Sequence, residues 1–247
     1  MKKYQADLHI HTVLSPCADL EMSPDQIVQV ALKRGLDIIA ITDHNSTRQC
    51  DMVRKHAKGT SLLVINGCEV NSMEEVHALC LFEDDYSRDE FQYFVDQYLP
   101  DIPNHTSYHG HQLLVDEENQ ILEELPFYLG NALFIDLETI ERKTHELNGI
   151  FLPAHVDRPI NSLYSQLGFL PKELNVDGLQ ISKRSNESMI RTHYDIDGEI
   201  SLIKASDAHY IEDIGSVATS FYMYEPSFKE LRWALHKKNG RYTKIEA

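Results

Sequence analysis

The sequence predicts an α/β barrel in which strands alternate with helices. Three observations predict it. Apolar, strand-like runs recur along the chain, segments with helical spacing fall between them, and each apolar run ends in a histidine or carboxylate cluster. In β/α barrels the functional groups stand at the carboxyl ends of several parallel strands. The position of the clusters therefore supports the fold, and the fold gives the clusters a common meeting point.

The chain enters its first strand within a few residues and reaches Asp7-Leu8-His9-Ile10-His11. Side chains two apart in a strand share a face, so His9 and His11 can grip one ion or two adjacent ions. Ser23-Pro24-Asp25-Gln26 then reads as an N-cap, a proline at the first helical position and an acidic first turn. Ile27, Val30, Ala31 and Arg34 follow at helical spacing, and Gly35 closes the helix. Ile38–Ile41 runs into Thr42-Asp43-His44, and Leu62–Ile65 runs into Gly67-Cys68-Glu69-Val70, with His77 eight residues past Glu69. Ile150–Leu152 leads to Pro153-Ala154-His155, and Ile200–Ile203 leads to Ser206-Asp207-Ala208-His209, where Asp207 and His209 repeat the two-residue spacing. Imidazole and carboxylate donors together suit Zn, Mn or Fe. One histidine at a strand end is ordinarily a hydrogen-bonded core or surface residue, but that reading would have to hold six times over.

These residues resemble the PHP family (polymerase and histidinol phosphatase), and within it the stand-alone, metal-dependent phosphoesterase branch. The resemblance covers residues 4–83 and 149–221 and rests on the ordered set Asp-x-His-x-His, Thr-Asp-His, Gly-Cys-Glu-Val, Pro-Ala-His and Ser-Asp-x-His. It implies a distorted (β/α)7, TIM-like barrel over residues 1–247, with a trinuclear metal centre holding up to three divalent ions: Mn, Fe or Zn, with Mg also admissible. It implies the ligands His9, His11, Asp19, His44, Glu69, His77, His155, Asp207 and His209. Glu69 would bridge two ions. His9, His11 and Asp207 would complete one with it, Asp19, His44 and His209 would hold a second, and His77 and His155 would join Glu69 on a third. Glu69, Asp207 and His209 would act in catalysis through metal-activated water. Asp7 and Asp43 read as carboxylates that orient imidazoles or as plain strand-end acids, and Asp157 as a further support or a turn residue.

Residues 84–148 hold no expected ligand and read as an insertion capping the catalytic face. Gln112–Val115 and Gln120–Leu122 flank Asp116-Glu117-Glu118-Asn119 as a β-hairpin, with helical runs near Phe91–Leu99 and Ile135–Leu147. His109-Gly110-His111 imitates the His-x-His spacing but lacks apolar strand neighbours, so His105, Tyr108 and His109 are instead candidates to touch substrate. Arg158, three residues past His155, could contact phosphate in bidentate fashion. Lys183 and Arg184, after the run Gly178–Ser182, are the other candidate phosphate contacts, against the alternative of a solvated basic turn.

The net charge of −16 over 247 residues argues against a broad surface for duplex DNA. A small phosphorylated molecule or a single-stranded nucleic-acid end is the expected partner, because bound divalent ions reverse the local field. The N-terminus has no apolar signal core and no run of about eighteen apolar residues occurs, so a cytoplasmic protein is expected. Cys17, Cys50, Cys68 and Cys80 contain no Cys-x-x-Cys pair and read as reduced thiols. The expected activity is hydrolysis of a nucleotide or 5'-phosphorylated oligonucleotide by a metal-activated hydroxide. The competing readings are a histidinol-phosphate-type phosphatase, a metal-dependent amidohydrolase and a non-catalytic metal-binding domain.

Overall fold

The computed structural model describes residues 1–246. The first half of the chain forms β1 (Lys2–Ile10), α1 (Pro24–Lys33), β2 (Ile38–Ile41), α2 (Cys50–Ala57), β3 (Leu63–Asn71), β4 (His77–Phe82) and α3 (Asp85–Asp96). An excursion follows with α4 (Thr106–His109), β5 (Leu113–Val115) and β6 (Ile121–Glu124), and then α5 (Leu137–Glu146) and β7 (Ile150–Pro153). The remainder is α6 (Leu163–Gln166), β8 (Leu179–Gln180), α7 (Glu187–Tyr194), β9 (Leu202–Ile203), β10 (Thr219–Met223), α8 (Phe228–Leu235) and β11 (Tyr242–Ile245).

The main sheet runs in the order β11-β10-β1-β2-β3-β4-β7, with β8 and β9 paired separately. Backbone bonds close the gap: Val156 N–H donates to Gln180 O at 2.9 Å, and Ile10 and Ala208 form a parallel bridge. Seven staves thus surround one interior, from β1 through β4 to β7, β8 and β9. The barrel is distorted because β4 runs antiparallel to both of its neighbours. That reversal comes from the short turn between β3 and β4, which leaves no room for a crossover helix.

Ala6, Leu8, Ile38, Ala40, Ile65, Leu79, Leu81, Leu152 and Ile203 fill the interior, and Phe228, Leu231, Ala234 and Leu235 of α8 plug its base. Their spacing puts one face of α8 against the barrel, and the Ser227 side chain caps the helix by accepting from Glu230 N–H. β1 breaks its alternation at an irregularity between Asp7 and Ile10. Leu8 can then fill the interior while the next residue, His9, also turns toward it. Gly67 stands where β2 crowds β3: a Cβ there would lie 2.8 Å from Ile41 O and 2.7 Å from Leu81.

The helix expected after Ser23 begins where the sequence places it, by a different device. Ser23 Oγ donates to Asp25 Oδ1 at 2.7 Å rather than capping a backbone amide. The hairpin expected around Asp116 is present as β5 and β6, with Asp116 Oδ1 accepting from the amides of Glu118 and Gln120. The range 84–148 is more than an insertion, because α3 and α5 pack Phe91, Val95, Leu137 and Ile140 into the barrel's outer core. Only the stretch between these helices leaves the barrel. It crosses the C-terminal face, where Asn45 Nδ2 donates to Leu129 O at 2.7 Å and Asn131 O at 2.8 Å, and Leu133 N–H donates to Asn71 O.

Candidate metal centre

Six histidines and two carboxylates converge at the C-terminal mouth. Three groups of donor atoms, each within 4.8 Å of one another, are His9/His11/Glu69/Asp207, His11/His44/His209 and His44/Glu69/His77. His155 joins them through Nε2, 3.1 Å from Glu69 Oε1. Glu69 sits at the centre: Oε1 lies 3.0 Å from His77 Nδ1 and Oε2 lies 3.1 Å from His44 Nδ1. The strands explain the convergence. β1 brings His9 and His11, the end of β2 brings His44, β3 carries Glu69, β4 opens on His77, and the extensions of β7 and β9 bring His155, Asp207 and His209.

The hydrogen bonds around the cluster leave it short of positive charge. Gln180 Oε1 can only accept, so His9 Nδ1 carries the hydrogen across 2.9 Å and its Nε2 faces inward with a bare lone pair. Ser15 Oγ gives its one hydrogen to Asp43 Oδ1 at 2.6 Å, and so accepts from His11 Nδ1 at 2.9 Å and from His44 N–H at 3.2 Å. His11 Nε2 is then bare too, 3.1 Å from His9 Nε2, with Asp207 Oδ1 3.2 Å and 3.3 Å from the two nitrogens. Two lone pairs and two carboxylates cannot face one another without positive charge between them. A proton on His11 is one answer. Burial opposes it, but hydrogen bonds to Asp207 and Glu69 hold that pKa at about 10. A divalent cation is the other, and the mixed imidazole and carboxylate set fits one. Around it, burial and the charge of His11 push His44 well below the usual imidazole range and His209 down to about 4. Burial disfavours the Glu69 and Asp207 anions as well, yet the surrounding histidines hold both well below the carboxylate range.

The supporting residues divide by role. Asp43 accepts from Thr12 N–H, Thr12 Oγ1 and Ser15 Oγ, so it orients His11 through Ser15. Asp7 orients no imidazole. Its oxygens accept from the amides of Ser206 and Gly215, both at 2.9 Å, which ties the loop beyond β9 to β1, and burial raises its pKa to about 6. Asp157 accepts from Ser182 N–H at 2.7 Å and from the hydroxyls of Ser182 and Ser185, fixing the loop that carries Lys183 and Arg184. Asp207, His155 and Asn45 take positive φ, at 52°, 29° and 45°. Such backbone persists at sites where the surroundings impose it.

Asp19 stands apart from the three donor groups. Its N–H donates to His209 O at 2.8 Å, which keeps it beside the site, but Oδ1 accepts from Glu21 N–H at 2.8 Å. Arg158 reaches over the mouth and pairs with Asp207 Oδ2. Lys183 Nζ lies 3.6 Å from Asp213 Oδ1, while Arg184 is exposed and makes no polar contact among the described residues. His111 pairs with Glu124 at 2.8 Å and His109 stacks on Tyr128, so neither belongs to a donor group. Gln180 and Ser15 are the supporting residues that the sequence did not single out. Gln180 is marked only by a contact across 171 residues, which no spacing rule reaches, and Ser15 by its bonds to His11 and Asp43 within an irregular loop.

The PHP domain family model matches residues 7–224. The chain belongs to the PHP family. A stretch of 89 residues is 37% identical to an uncharacterised protein of Methanocaldococcus jannaschii, covering 32% of this chain and 52% of that one. This PHP chain thus spans about half the length of the curated relative it matches. Among solved structures, the lesion-specific endonuclease Q of Pyrococcus furiosus superposes with a TM-score of 0.72 at 21% identity, over 98% of this chain and 58% of the endonuclease. A protein of Bifidobacterium adolescentis assigned as a metal-dependent phosphoesterase superposes with a TM-score of 0.60 at 16% identity, over 94% of this chain and 96% of that one. At these identities the likeness is one of fold. Among the described residues, no helix of this PHP protein is long and apolar enough to cross a membrane.

Proposed function

We propose that this protein is a metal-dependent phosphoesterase acting on a small phosphorylated substrate, a nucleotide or the 5'-phosphorylated end of a single strand. The observation that carries the reading is the convergence of His9 Nε2, His11 Nε2, Glu69 and Asp207 on one buried point beneath an arginine. The neighbours lend it support. The assigned phosphoesterase shares the fold, and endonuclease Q has been crystallised with a 27-mer duplex carrying an abasic lesion at its active site. The net charge of −16 favours a short substrate over an extended duplex surface here.

Divalent ions bound to such a cluster supply charge neutralisation for phosphate oxygens and acidify a water to make it nucleophilic. The chain's own residues do the rest. His9, His11, Glu69 and Asp207 are the proposed ligands of one ion. His44 and His209 are assigned to a second with Asp19, and His77 and His155 share Glu69 in a third position. Gln180 and the Ser15–Asp43 pair keep Nε2 of His9 and His11 aimed inward. The Arg158 guanidinium spends one edge on Asp207 Oδ2 and has other N–H donors for a phosphate oxygen. Lys183 and Arg184, on the adjacent rim, add positive potential to the approach.

The test is a panel of phosphate esters, phosphodiesters and cyclic amides offered to purified, metal-analysed protein. Hydrolysis of phosphate esters with more than one ion per chain is the expected result. Hydrolysis of amides alone would assign the site to an amidohydrolase. No hydrolysis at full metal loading would leave a binding domain.

A further inference from the structure

The mouth has two unlike rims. Arg158 and Lys183 lie on the side of β7 and β8, and the opposite side, above β1, β2 and β3, carries an aromatic pair that is absent from the metal chemistry. Tyr128 and His109 stack with ring centroids 3.8 Å apart and planes 19° from parallel. Both are half-buried.

Their position is fixed by bonds to the residues that flank the candidate ligands. The strap from Tyr128 to Leu133 is held from below by Asn45, which follows His44, and by Asn71, two residues past Glu69, whose Nδ2 donates to Gly130 O at 3.3 Å. Asn71 N–H in turn donates to Asn45 Oδ1 at 3.1 Å, so the two asparagines form one cradle. On the other flank, Gly110 presses on Pro16, in the loop that leaves His11. A Cβ at Gly110 would lie 2.0 Å from Pro16 O, so the His109 end of the stack is seated against that loop by a glycine no other residue can replace. Asn104 completes the seat, its Nδ2 donating to Gly110 O at 2.9 Å and its Oδ1 standing 3.2 Å from His109 Nδ1. The Cys17 thiol at the tip of the same loop reaches water, yet burial first and then the Glu69 charge push its pKa up to about 12. Burial and then that thiol raise the Tyr128 phenol.

We propose that the Tyr128–His109 stack is the surface on which the substrate's base packs, so that the protein selects nucleoside phosphates over phosphates that lack a base. This rests on the phosphoesterase reading and narrows its substrate class. A flat, half-buried aromatic pair beside a cation-seeking centre offers a π-face to any base, while Arg158 across the mouth offers charge to the phosphate. Stacking on an aromatic side chain is sequence-tolerant, which suits a nucleotide or strand end read without base-specific hydrogen bonds. Of the candidates His105, Tyr108 and His109, His109 is the one in the stack on Tyr128, while Tyr108 is 87% exposed.

The experiment compares AMP with ribose 5-phosphate by calorimetric titration of the metal-loaded protein, for the wild type, Tyr128→Phe and Tyr128→Ala. Hydrolysis of the same two compounds is measured in parallel. The expected result is that Tyr128→Ala weakens AMP binding roughly 5- to 100-fold, the range of one base stack, with ribose 5-phosphate binding and metal content unchanged, and that Tyr128→Phe restores AMP affinity. Equal losses for both compounds would reduce Tyr128 to a structural strap residue and overturn the proposal, as would no loss for either. Tyr128-dependent AMP binding with no hydrolysis of any phosphate ester would uphold the stack while sinking the phosphoesterase reading.

Discussion

Two clusters of histidine and carboxylate lie at opposite ends of this barrel, and they solve opposite problems. At the base, Asp177 Oδ2 accepts from Phe151 N–H at 2.8 Å and His145 Nε2 at 2.9 Å, while Oδ1 accepts from His236 Nε2 at 2.6 Å. His145 Nδ1 pairs with Glu141. Both Asp177 oxygens and both His145 nitrogens have partners, and a ring that donates from both nitrogens is an imidazolium. At the mouth, by contrast, the His9 and His11 lone pairs meet head-on, and His155 Nδ1 is buried with no partner. The residue types are the same. What separates a site from a clamp is whether the inward-facing atoms are already committed.

The sharpest way to break this comparison is Glu69→Gln. The variant keeps the shape of the side chain but removes the charge around which the imidazoles gather. Replacing an outer partner of a metal ligand costs roughly 10- to 100-fold, so losing the proposed central ligand should lower metal affinity and turnover by at least about 100-fold. Elemental analysis and kcat/KM measured on the same samples check it. Full activity in this variant would show that the bridge lies elsewhere.

Asp177→Asn should do the reverse. It leaves the His145 and His236 donors facing a neutral amide in a buried pocket, and breaking a buried charge pair costs about 3 kcal/mol. The unfolding midpoint in urea should fall while metal stoichiometry and kcat/KM at 25 °C hold. A loss of metal would mean that the two ends of the barrel are coupled.

Gln180→Ala tests whether the bond to His9 Nδ1 is what keeps His9 Nε2 bare and aimed inward. Without Oε1, His9 is free to turn its ring or shift its hydrogen from Nδ1 to Nε2, and metal affinity should drop by about 10- to 100-fold, read by competition with a chelator. Arg158→Ala and Lys183→Ala form a smaller contrast. Arg158 should cost about 1.5–3 kcal/mol of phosphate binding. Because it also holds Asp207, its loss should loosen metal as well, whereas the sequence alone predicts no change in metal content. Lys183, which reaches Asp213 at 3.6 Å and is exposed, should cost less than about 1 kcal/mol.

The contrast also explains what could be read without coordinates. Alternation and strand-end position pointed to His9, His11, His44, Glu69, His155, Asp207 and His209 as side chains that meet at one mouth, because local spacing determines which way a strand residue points. The cap hairpin was legible for a similar reason, since Asp116 and Asn119 act through their own backbone. The pieces left open or misplaced all depend on contacts across the barrel. For Asp7 the sequence left two readings open, an imidazole's partner or a plain strand-end acid, and its bonds to Ser206 and Gly215 reach across the chain, beyond any spacing rule. Gln180 looked like one polar residue in a short strand. The helices α3 and α5 were assigned to the insertion because they bear no ligands, although the apolar faces of Phe91 and Ile140 are what a barrel wall needs. The base cluster was invisible for the same reason, its members lying at 141, 145, 177 and 236 with no motif to join them.

The smallest expected effect is the pH dependence of the base clamp. The hydrogen bond that His145 donates to Asp177, outweighing burial, raises the His145 pKa above its ordinary 6.5, and Glu141 adds to it. A raised folded-state pKa contributes stability that is fully present below 6.5 and is lost as pH climbs through the folded value. Asp177 runs the other way. Burial opposes its anion, but the two histidines depress its pKa below 3.8, so its contribution is present above 3.8 and lost as pH falls. The stability difference between wild type and Asp177→Asn should therefore be greatest between roughly pH 4 and 6.5 and shrink on the alkaline side. His145 is a quarter exposed, so the alkaline change should be about 1 kcal/mol or less. Urea unfolding of both proteins from pH 5 to 9, with metal held constant, measures it. A difference that is flat across that range would mean that His145 is neutral in the fold, and that the base cluster is held by ordinary hydrogen bonds rather than by an imidazolium.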